Sequence, residues 1–361
     1  MNWYVPIILI GVLLVITLLL ILADKLLGSG GERKIVLNQK REIPVDSDET
    51  VLTLLSNQKI FIPSACGGKA TCGLCKVRVV EGGGPIRGTE KPFMSEDELS
   101  RGVRLSCQLK VREDMAIEIP ESMLGAVEFK TRVVKVEDLT YDTKMVRLKL
   151  IEPKTMDFKP GQYAQIKVPG IESIRAYSIA SNPRFNDHIE FIIRLVPKGQ
   201  ATTFVHKAMR EGDPLTITGP YGDFFLQEDS DRDMICIAGG SGKAPIRAIL
   251  QYMKDRGMTR KVIYFFGART TRDLYYTEEM QALEAEFENF TYVPALSHAE
   301  PDEKWEGAQG LITEVVDRMT GDLREAEAYL CGSPGMIDAC IKVLEKHDIQ
   351  SEHVFYDKFT A

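Results

Sequence analysis

The longest apolar run comes first. From Trp3 to Ala23 no charged side chain interrupts a succession rich in Ile, Leu and Val, with Pro6 and Thr17 as mild breaks. At about 1.5 Å per residue a helix of this length spans roughly 30 Å, one bilayer core, so residues 1–24 are expected to form a transmembrane anchor. No basic segment precedes the run and no small-x-small cleavage site follows it, which argues against a cleaved signal peptide. Lys25, Arg33, Lys34, Lys40 and Arg41 come directly after it. By the positive-inside rule this places a single-pass protein in the cytoplasmic membrane, with its amino terminus outside and its soluble domains in the cytoplasm. Residues 25–33, with Gly28-Ser29-Gly30-Gly31, read as a flexible tether of roughly 10–15 Å reach.

After the tether the pattern shortens to short runs and alternation. Ile35-Val36-Leu37, Glu42–Val45, a helical piece over Thr50–Ser56, Cys75–Val80 and Met115–Ile119 predict a small β-grasp domain over 34–121. Gly82-Gly83-Gly84-Pro85 is a turn inside it, and Pro120-Glu121-Ser122 with Gly125 reads as a linker. Over 129–229, alternating runs such as Thr131–Val136, Val146–Leu150, Tyr163–Val168, Ile189–Leu195 and Pro214–Thr218 predict an antiparallel β-barrel. Over 230–361 the runs Met234–Ala238 and Val262–Phe266 are continuously apolar and flank a helical Ile246–Arg256, which predicts an α/β Rossmann-like nucleotide domain.

Composition adds two exclusions. With 44% hydrophobic and 27% charged residues in 361, the chain is globular rather than disordered. A net charge of −7 with no basic block argues against nucleic acid as a partner.

The cysteines carry the first chemistry. Cys66, Cys72 and Cys75 are separated by five and two residues, and Cys107 follows after thirty-one. Three clustered ligands plus one remote ligand suit four thiolates around iron, and Gly67, Gly68 and Gly73 let the loop aim backbone N–H groups at an anionic cluster. Structural zinc is the rival, but it favours two well-separated ligand pairs. A disulfide framework fits less well in a chain whose other motifs suit cytosolic nucleotides.

Four further motifs follow in order. Arg175-Ala176-Tyr177-Ser178 ends a strand and offers a fork of donors, a flat ring and a hydroxyl; an ordinary strand with a solvated Arg is the plainer reading. Gly199-Gln200-Ala201-Thr202 opens a predicted helix Thr203–Met209, where a phosphate site and a simple cap are equally compatible. Gly239-Gly240-Ser241-Gly242-Lys243-Ala244-Pro245 joins a buried strand to a helix without being a P-loop, so Lys243 has no Walker role. Cys331-Gly332-Ser333-Pro334-Gly335-Met336 is a second strand-to-helix turn at the ligand-binding edge of the sheet, while Cys236 and Cys340 read as buried apolar residues. The five His residues show no metal or triad spacing.

Taken in this order, the four motifs resemble the ferredoxin–NADP reductase superfamily from about residue 129 onward, and the cysteine domain is similar to adrenodoxin- or plant-type 2Fe–2S ferredoxins. With a membrane span in front, the chain resembles the F subunits of Na+-translocating NADH:quinone oxidoreductase, also at Gly267-Ala268-Arg269 and Trp305-x-Gly307-x-x-Gly310. One departure is the short Pro169–Arg175 segment, where that family carries an insertion.

The resemblance implies three cofactors: a 2Fe–2S cluster on Cys66, Cys72, Cys75 and Cys107, FAD, and NADH. It assigns Arg175, Tyr177, Ser178 and Thr202 to FAD and Gly239, Gly240 and Gly242 to NADH, with Gly199, Pro245, Gly332, Pro334 and Met336 completing the cofactor-binding set. Cys331 falls beside the nicotinamide, and Phe359, two after Asp357, stacks on the flavin opposite Tyr177; Ser178, Cys331 and Phe359 are the implied catalytic residues. NADH would give a hydride to FAD, and electrons would pass singly to the cluster and on to other subunits of a membrane complex. There a partner subunit would reduce quinone, with sodium translocation as the family name implies. Cys66–Cys75 would face that partner. Asp273 suits NADH, whereas Arg269 and Arg272 suit a 2′-phosphate. The alternatives are an anchored reductase that feeds an oxygenase, and a non-enzymatic membrane-tethered redox sensor.

Overall fold

The computed structural model describes residues 4–27, 33–46, 48–170, 174–257, 259–299 and 304–359. The apolar run forms one helix, α1 (Tyr4–Leu27). Its described side chains, among them Ile8, Leu14 and Leu18, are exposed. They are continuous only over Ile10–Leu19. Among the described residues no helix is long and apolar enough to cross a membrane. Gly28–Gly31 of the expected tether lie outside the described residues.

The first soluble unit holds β1 (Arg33–Leu37), β2 (Arg41–Val45), α2 (Val51–Asn57), β3 (Lys76–Glu81), α3 (Glu96–Ser100), β4 (Val103–Leu105) and β5 (Met115–Glu118). Its sheet runs β2-β1-β5-β3-β4, with β5 parallel to β1, the crossing expected of a β-grasp. Thr50 caps α2 by accepting from the Thr53 N–H at 3.3 Å, and Leu54 and Leu55 turn into a core with Ile35, Ile43, Leu105 and Ile117. The expected linker at Pro120–Gly125 contains a short helical turn, α4 (Glu121–Leu124), with Pro120 as its cap.

The second unit comprises β6 (Val127–Thr140), β7 (Thr143–Glu152), β8 (Tyr163–Lys167), β9 (Ile174–Ser178), β10 (His188–Arg194), α5 (Gln200–Thr203) and β11 (Pro214–Tyr221). Its strands are antiparallel in the order β10-β7-β6-β11-β8-β9. The expected closed barrel is corrected here to an open, six-stranded sheet. Its edge strands meet at a single bridge, Ile179↔Phe191, beside a bond from the Ala180 N–H to the Glu190 carbonyl at 2.8 Å. The physical reason is that β9 ends at Ser178, too soon to ladder with β10. The helix expected over Thr203–Met209 starts earlier and continues from α5 into a π-turn, Phe204–Ala208.

The third unit alternates: β12 (Asp233–Gly239), α6 (Lys243–Asp255), β13 (Val262–Ala268), α7 (Thr277–Glu286), β14 (Phe290–Leu296), β15 (Ala308–Gln309), α8 (Ile312–Met319), β16 (Ala326–Gly332), α9 (Pro334–Lys346) and β17 (Val354–Lys358). The all-parallel order β15-β14-β13-β12-β16-β17 reverses direction of winding at β12, which puts a crevice at the carboxyl ends of β12, β13 and β16. Two cores cover its faces. One takes Ala180, Ile192, Phe224 and Leu226 from the second unit, so the two units share buried apolar surface.

Candidate functional site

The cysteine loop lies between α2 and β3. Pairing of Lys76 with Leu105 on β3 and β4 brings the remote Cys107 back beside Cys75, and the Ser106 N–H donates to the Cys75 carbonyl at 2.8 Å. Gly73 sits at φ +69°, where a Cβ would press to 2.8 Å from the Phe93 ring, so the turn needs glycine there. All seven cysteines are free thiols. Cys66 Sγ is 3.4 Å from Cys72 Sγ, and Cys75 shares a hydrogen bond with Cys107.

The four thiols thus form two pairs rather than one ring around a point. Two pairs of thiols suit two irons, one pair to each. Backbone N–H groups of Thr71 and Lys69 point at Cys66, that of Leu74 at Cys72 and that of Ala70 at Cys107. Burial works against a Cys66 thiolate, yet bonds from Thr71, Cys72 and Lys69 outweigh it and bring the thiol down to about 6. The bond from Cys75, against burial, brings Cys107 down to about 7, while that same bond and burial push Cys75 up. Donors aimed at sulfur are what an anionic cluster requires.

The Arg175–Ser178 motif is β9, an edge strand. Arg175 Nη1 donates to the Ala65 carbonyl at 3.1 Å and to its neighbour Ile174 at 2.8 Å, so it links the flavin-type strand to the residue before Cys66. Tyr177 is half-buried, 6.3 Å from the Phe191 ring, and burial pushes its phenol up to about 12. Ser178 Oγ donates to Asp357 Oδ2 at 3.4 Å. Burial raises the Asp357 carboxyl to about 6 despite that bond. Cys331 on β16 pairs in register with Asp357 on β17, and burial pushes its thiol well up. Phe359 is half-buried and its N–H donates to the Gly332 carbonyl at 2.8 Å. Ser178, Cys331 and Phe359, distant in sequence, therefore surround Asp357, a residue that the sequence marks only by its place two before Phe359.

At the Gly199 turn, Thr202 Oγ1 accepts from the Val196 N–H at 3.1 Å and donates to the Gly199 carbonyl at 3.3 Å, and α5 has no side-chain cap bond. A Cβ on Gly199 would come within 2.7 Å of that hydroxyl.

A groove of about 360 Å³ opens at the carboxyl ends of β12, β13 and β16. Gly240 and Met336 line it, as do Gly267, Ala268, Arg269, Asp273, Tyr275 and Ser297. Gly239, Gly242, Pro245, Gly332 and Pro334 are not among the lining residues. A Cβ on Gly242 would collide with the Cys331 carbonyl, and one on Gly239 would lie 2.8 Å from Met336 Sδ. Across the groove stand Asp142, Thr143 and Arg194 of the second unit, with Arg194 Nε donating to Asp142 at 2.7 Å. Asp273 accepts from the Tyr141 hydroxyl at 3.0 Å and from the Thr270 N–H at 2.9 Å. No local sequence signal marks Asp142 or Arg194, because their role depends on how two units meet.

Family models agree with this division. A 2Fe–2S iron–sulfur cluster binding domain matches residues 35–112, an oxidoreductase FAD-binding domain matches 130–226, and an oxidoreductase NAD-binding domain matches 236–342. Paired thiols, a flavin-type strand and a dinucleotide-type crevice in one chain define an NADH-oxidising reductase that uses FAD and a 2Fe–2S cluster. The chain is 33% identical to the F subunit of the Na(+)-translocating NADH-quinone reductase of Neisseria meningitidis, over 96% of each chain. It is 35% identical to the reductase component of propane 2-monooxygenase of Rhodococcus jostii, over 89% of each. The chain belongs to the family of the F subunits of Na(+)-translocating NADH-quinone reductase. Among solved structures, the Amycolatopsis cytochrome P450 reductase GcoB superposes with a TM-score of 0.76 at 27% identity, covering 91% of this chain and 99% of that one.

Proposed function

We propose that this chain is the electron-input subunit of a membrane redox complex in which a partner subunit reduces quinone, with sodium translocation as the family name suggests. The observation that carries this reading is the uncharged run from Trp3 to Ala23, rich in Ile, Leu and Val, in front of the cluster unit. It anchors the chain as a single-pass protein of the cytoplasmic membrane, amino terminus outside, and holds the cysteine loop near a membrane partner. The 96% coverage in the match to the Neisseria meningitidis F subunit supports it.

When bound, FAD takes up a hydride as an electron pair and releases electrons singly, and a 2Fe–2S cluster accepts one at a time. The rest is the work of this chain. Arg175 would supply forked donors for the pyrophosphate, and Tyr177 and Phe359 would offer aromatic faces to the flavin. Phe359, at the end of the described chain, moves aside for the nicotinamide. The Ser178 hydroxyl and the Asp357 carboxyl would hold a proton for the bound flavin, since Asp357 at about 6 exchanges protons near neutral pH. Buried Cys331 stays a neutral thiol and excludes water there. Gly240 and Met336 receive the dinucleotide, and Asp273 favours NADH by accepting from a ribose hydroxyl. Cys66, Cys72, Cys75 and Cys107 hold the cluster, and Arg175 on Ala65 docks their loop against the flavin strand.

A second reading, a reductase feeding an oxygenase, draws support from the 35% identity to the propane 2-monooxygenase reductase and from the short Pro169–Arg175 segment. The test is to wash membranes from the native host with alkaline carbonate and then purify the full chain in mild detergent. The complex reading expects retention in the pellet and co-purification of membrane subunits with NADH:quinone activity. Release into the supernatant, with activity only toward a soluble oxygenase, sinks it.

A further inference from the structure

Lys243 opens α6 directly after the glycine turn, yet it is 0% exposed. Its ammonium lies 3.8 Å from the centre of the Phe266 ring and 5.0 Å, 5.2 Å and 5.9 Å from those of Tyr275, Tyr292 and Tyr264. Nζ donates to the Tyr275 carbonyl at 2.6 Å and bonds the Tyr292 hydroxyl at 3.1 Å. The Tyr275 hydroxyl donates onward to the Gly240 carbonyl at 2.7 Å. Gly240 and Tyr275 both line the groove. Hydrogen bonds thus run from Lys243 through both ends of Tyr275 to the glycine turn. A purely structural plug would be better served by Leu or Met, which fill such a box without desolvating an amine. No step in the reduction of flavin by NADH calls on an amine at this place.

We propose that Lys243 is a positioning residue for NADH: its charged amine, clamped between Tyr275 and Tyr292, fixes the Tyr275–Gly240 wall of the groove, so that NADH is captured best while Lys243 carries its proton. The inference rests on the groove being the NADH site. It adds a proton-linked control of NADH affinity to that site.

The surroundings set the direction. Burial pulls the amine down to about 7, with Glu279 of α7 favouring the charge and Arg247 on its own helix opposing it. Arg247 keeps its charge, paired with Glu190 and Glu279. The phenols facing the amine, Tyr264 of β13, Tyr275 and Tyr292 of β14, are all pushed up by burial and stay neutral, as do the thiols Cys236 and Cys331 beyond Tyr264. Glu284 accepts the Tyr292 N–H at 3.0 Å, and Asp142 and Arg194, which face Tyr275, pair with each other. Lys243 therefore loses its proton as pH rises through about 7, and NADH, which favours the protonated form, binds more weakly above that point.

The test measures KM and kcat for NADH with ferricyanide as acceptor, on the full-chain holoenzyme, between about pH 6 and about pH 9. In the wild type, KM is expected to rise ~10-fold across that range while kcat at saturating NADH changes less than ~2-fold. Lys243→Met, a near-isosteric apolar filling, should show a high KM with no such rise, because Met stands in for the neutral amine. Arg269→Ala, a direct change to the groove lining, should raise KM at every pH and keep the rise. A flat wild-type KM overturns the proposal whether or not the variant folds, as does a rise that survives in Lys243→Met. If Arg269→Ala also leaves KM untouched, the groove is not the NADH site and the inference falls with it; if Arg269→Ala shifts KM and Lys243→Met does not, the site stands and only the role of Lys243 fails.

Discussion

Arg247 is where the flavin and dinucleotide units are locked together, and Arg247→Met should weaken that lock by an amount the structure bounds. Its side chain, 11% exposed, donates through Nη1 to Glu190 Oε2 at 2.8 Å and to the Ala180 carbonyl at 3.0 Å, both in the second unit. Through Nε it donates to Glu279 Oε1 at 3.0 Å. Met keeps the volume but leaves Glu190, 7% exposed, with Arg147 as its remaining charge partner. Removing one partner of a buried pair costs about 3–5 kcal/mol, and the surviving Arg147 puts this case near the lower end, about 3 kcal/mol. At about 2–4 °C per kcal/mol, the transition separating these units should fall by roughly 6–12 °C.

The sign of the pH dependence is a second handle. Burial raises the Glu190 pKa, but Arg247 and Arg147 overcome it and hold the carboxyl below its usual range. In the wild type this stabilisation is present above the unfolded Glu pKa and is lost as pH falls through the folded value. Without Arg247 burial regains ground, Glu190 protonates more readily, and the deficit should shrink toward about pH 5. Differential scanning calorimetry of the holoenzyme at about pH 7.5 and about pH 5, with Glu190→Gln/Arg247→Met completing a cycle, measures both effects. A loss under ~2 °C at the higher pH, or an equal loss at both, refutes this account of the interface.

Three further outcomes follow from the same structure. Cys66→Ala should keep NADH–ferricyanide activity and abolish transfer to the natural acceptor, measured in paired assays; surviving transfer would take the cluster off the path. Asp357→Asn should stabilise the protein above about pH 6 by about 1–3 kcal/mol, because the wild-type carboxyl, raised by burial, favours the fold only while protonated; the gain should vanish near pH 4 in thermal melts. Gly242→Ala should cost about 1–3 kcal/mol or more by chemical denaturation and raise KM for NADH, since its Cβ meets the Cys331 carbonyl; a neutral melt would show that the turn can shift.

Local features are legible in the chain and contacts between units are not. The cysteine spacing announces a ligand set because thiols and glycines must sit close in sequence to wrap a cluster, and β-strands such as β12 and β13 announce themselves by unbroken apolar runs. The expected antiparallel barrel does not close because alternation reports which face is buried, not whether edge strands ladder; β9 stops short and the chain after it meets β10 at one bridge. The linker at Pro120 hides a helical turn for a similar reason, since Pro marks a helix start as readily as a loop. Arg175 reads in sequence as a flavin ligand alone, yet it also reaches Ala65, 110 residues away. Lys243 is legible only as a non-Walker lysine, because the box around it is assembled from Phe266, Tyr275 and Tyr292 on other elements.

The most direct measurement is anaerobic titration of the full-chain holoenzyme with NADH, followed by visible absorbance for the flavin and by low-temperature EPR for the cluster. The account predicts that substoichiometric NADH bleaches the flavin band and raises the signal of a reduced 2Fe–2S cluster, and that Cys66→Ala bleaches without that signal. A cluster that dithionite reduces and NADH leaves oxidised, beside a fully bleached flavin, would contradict it.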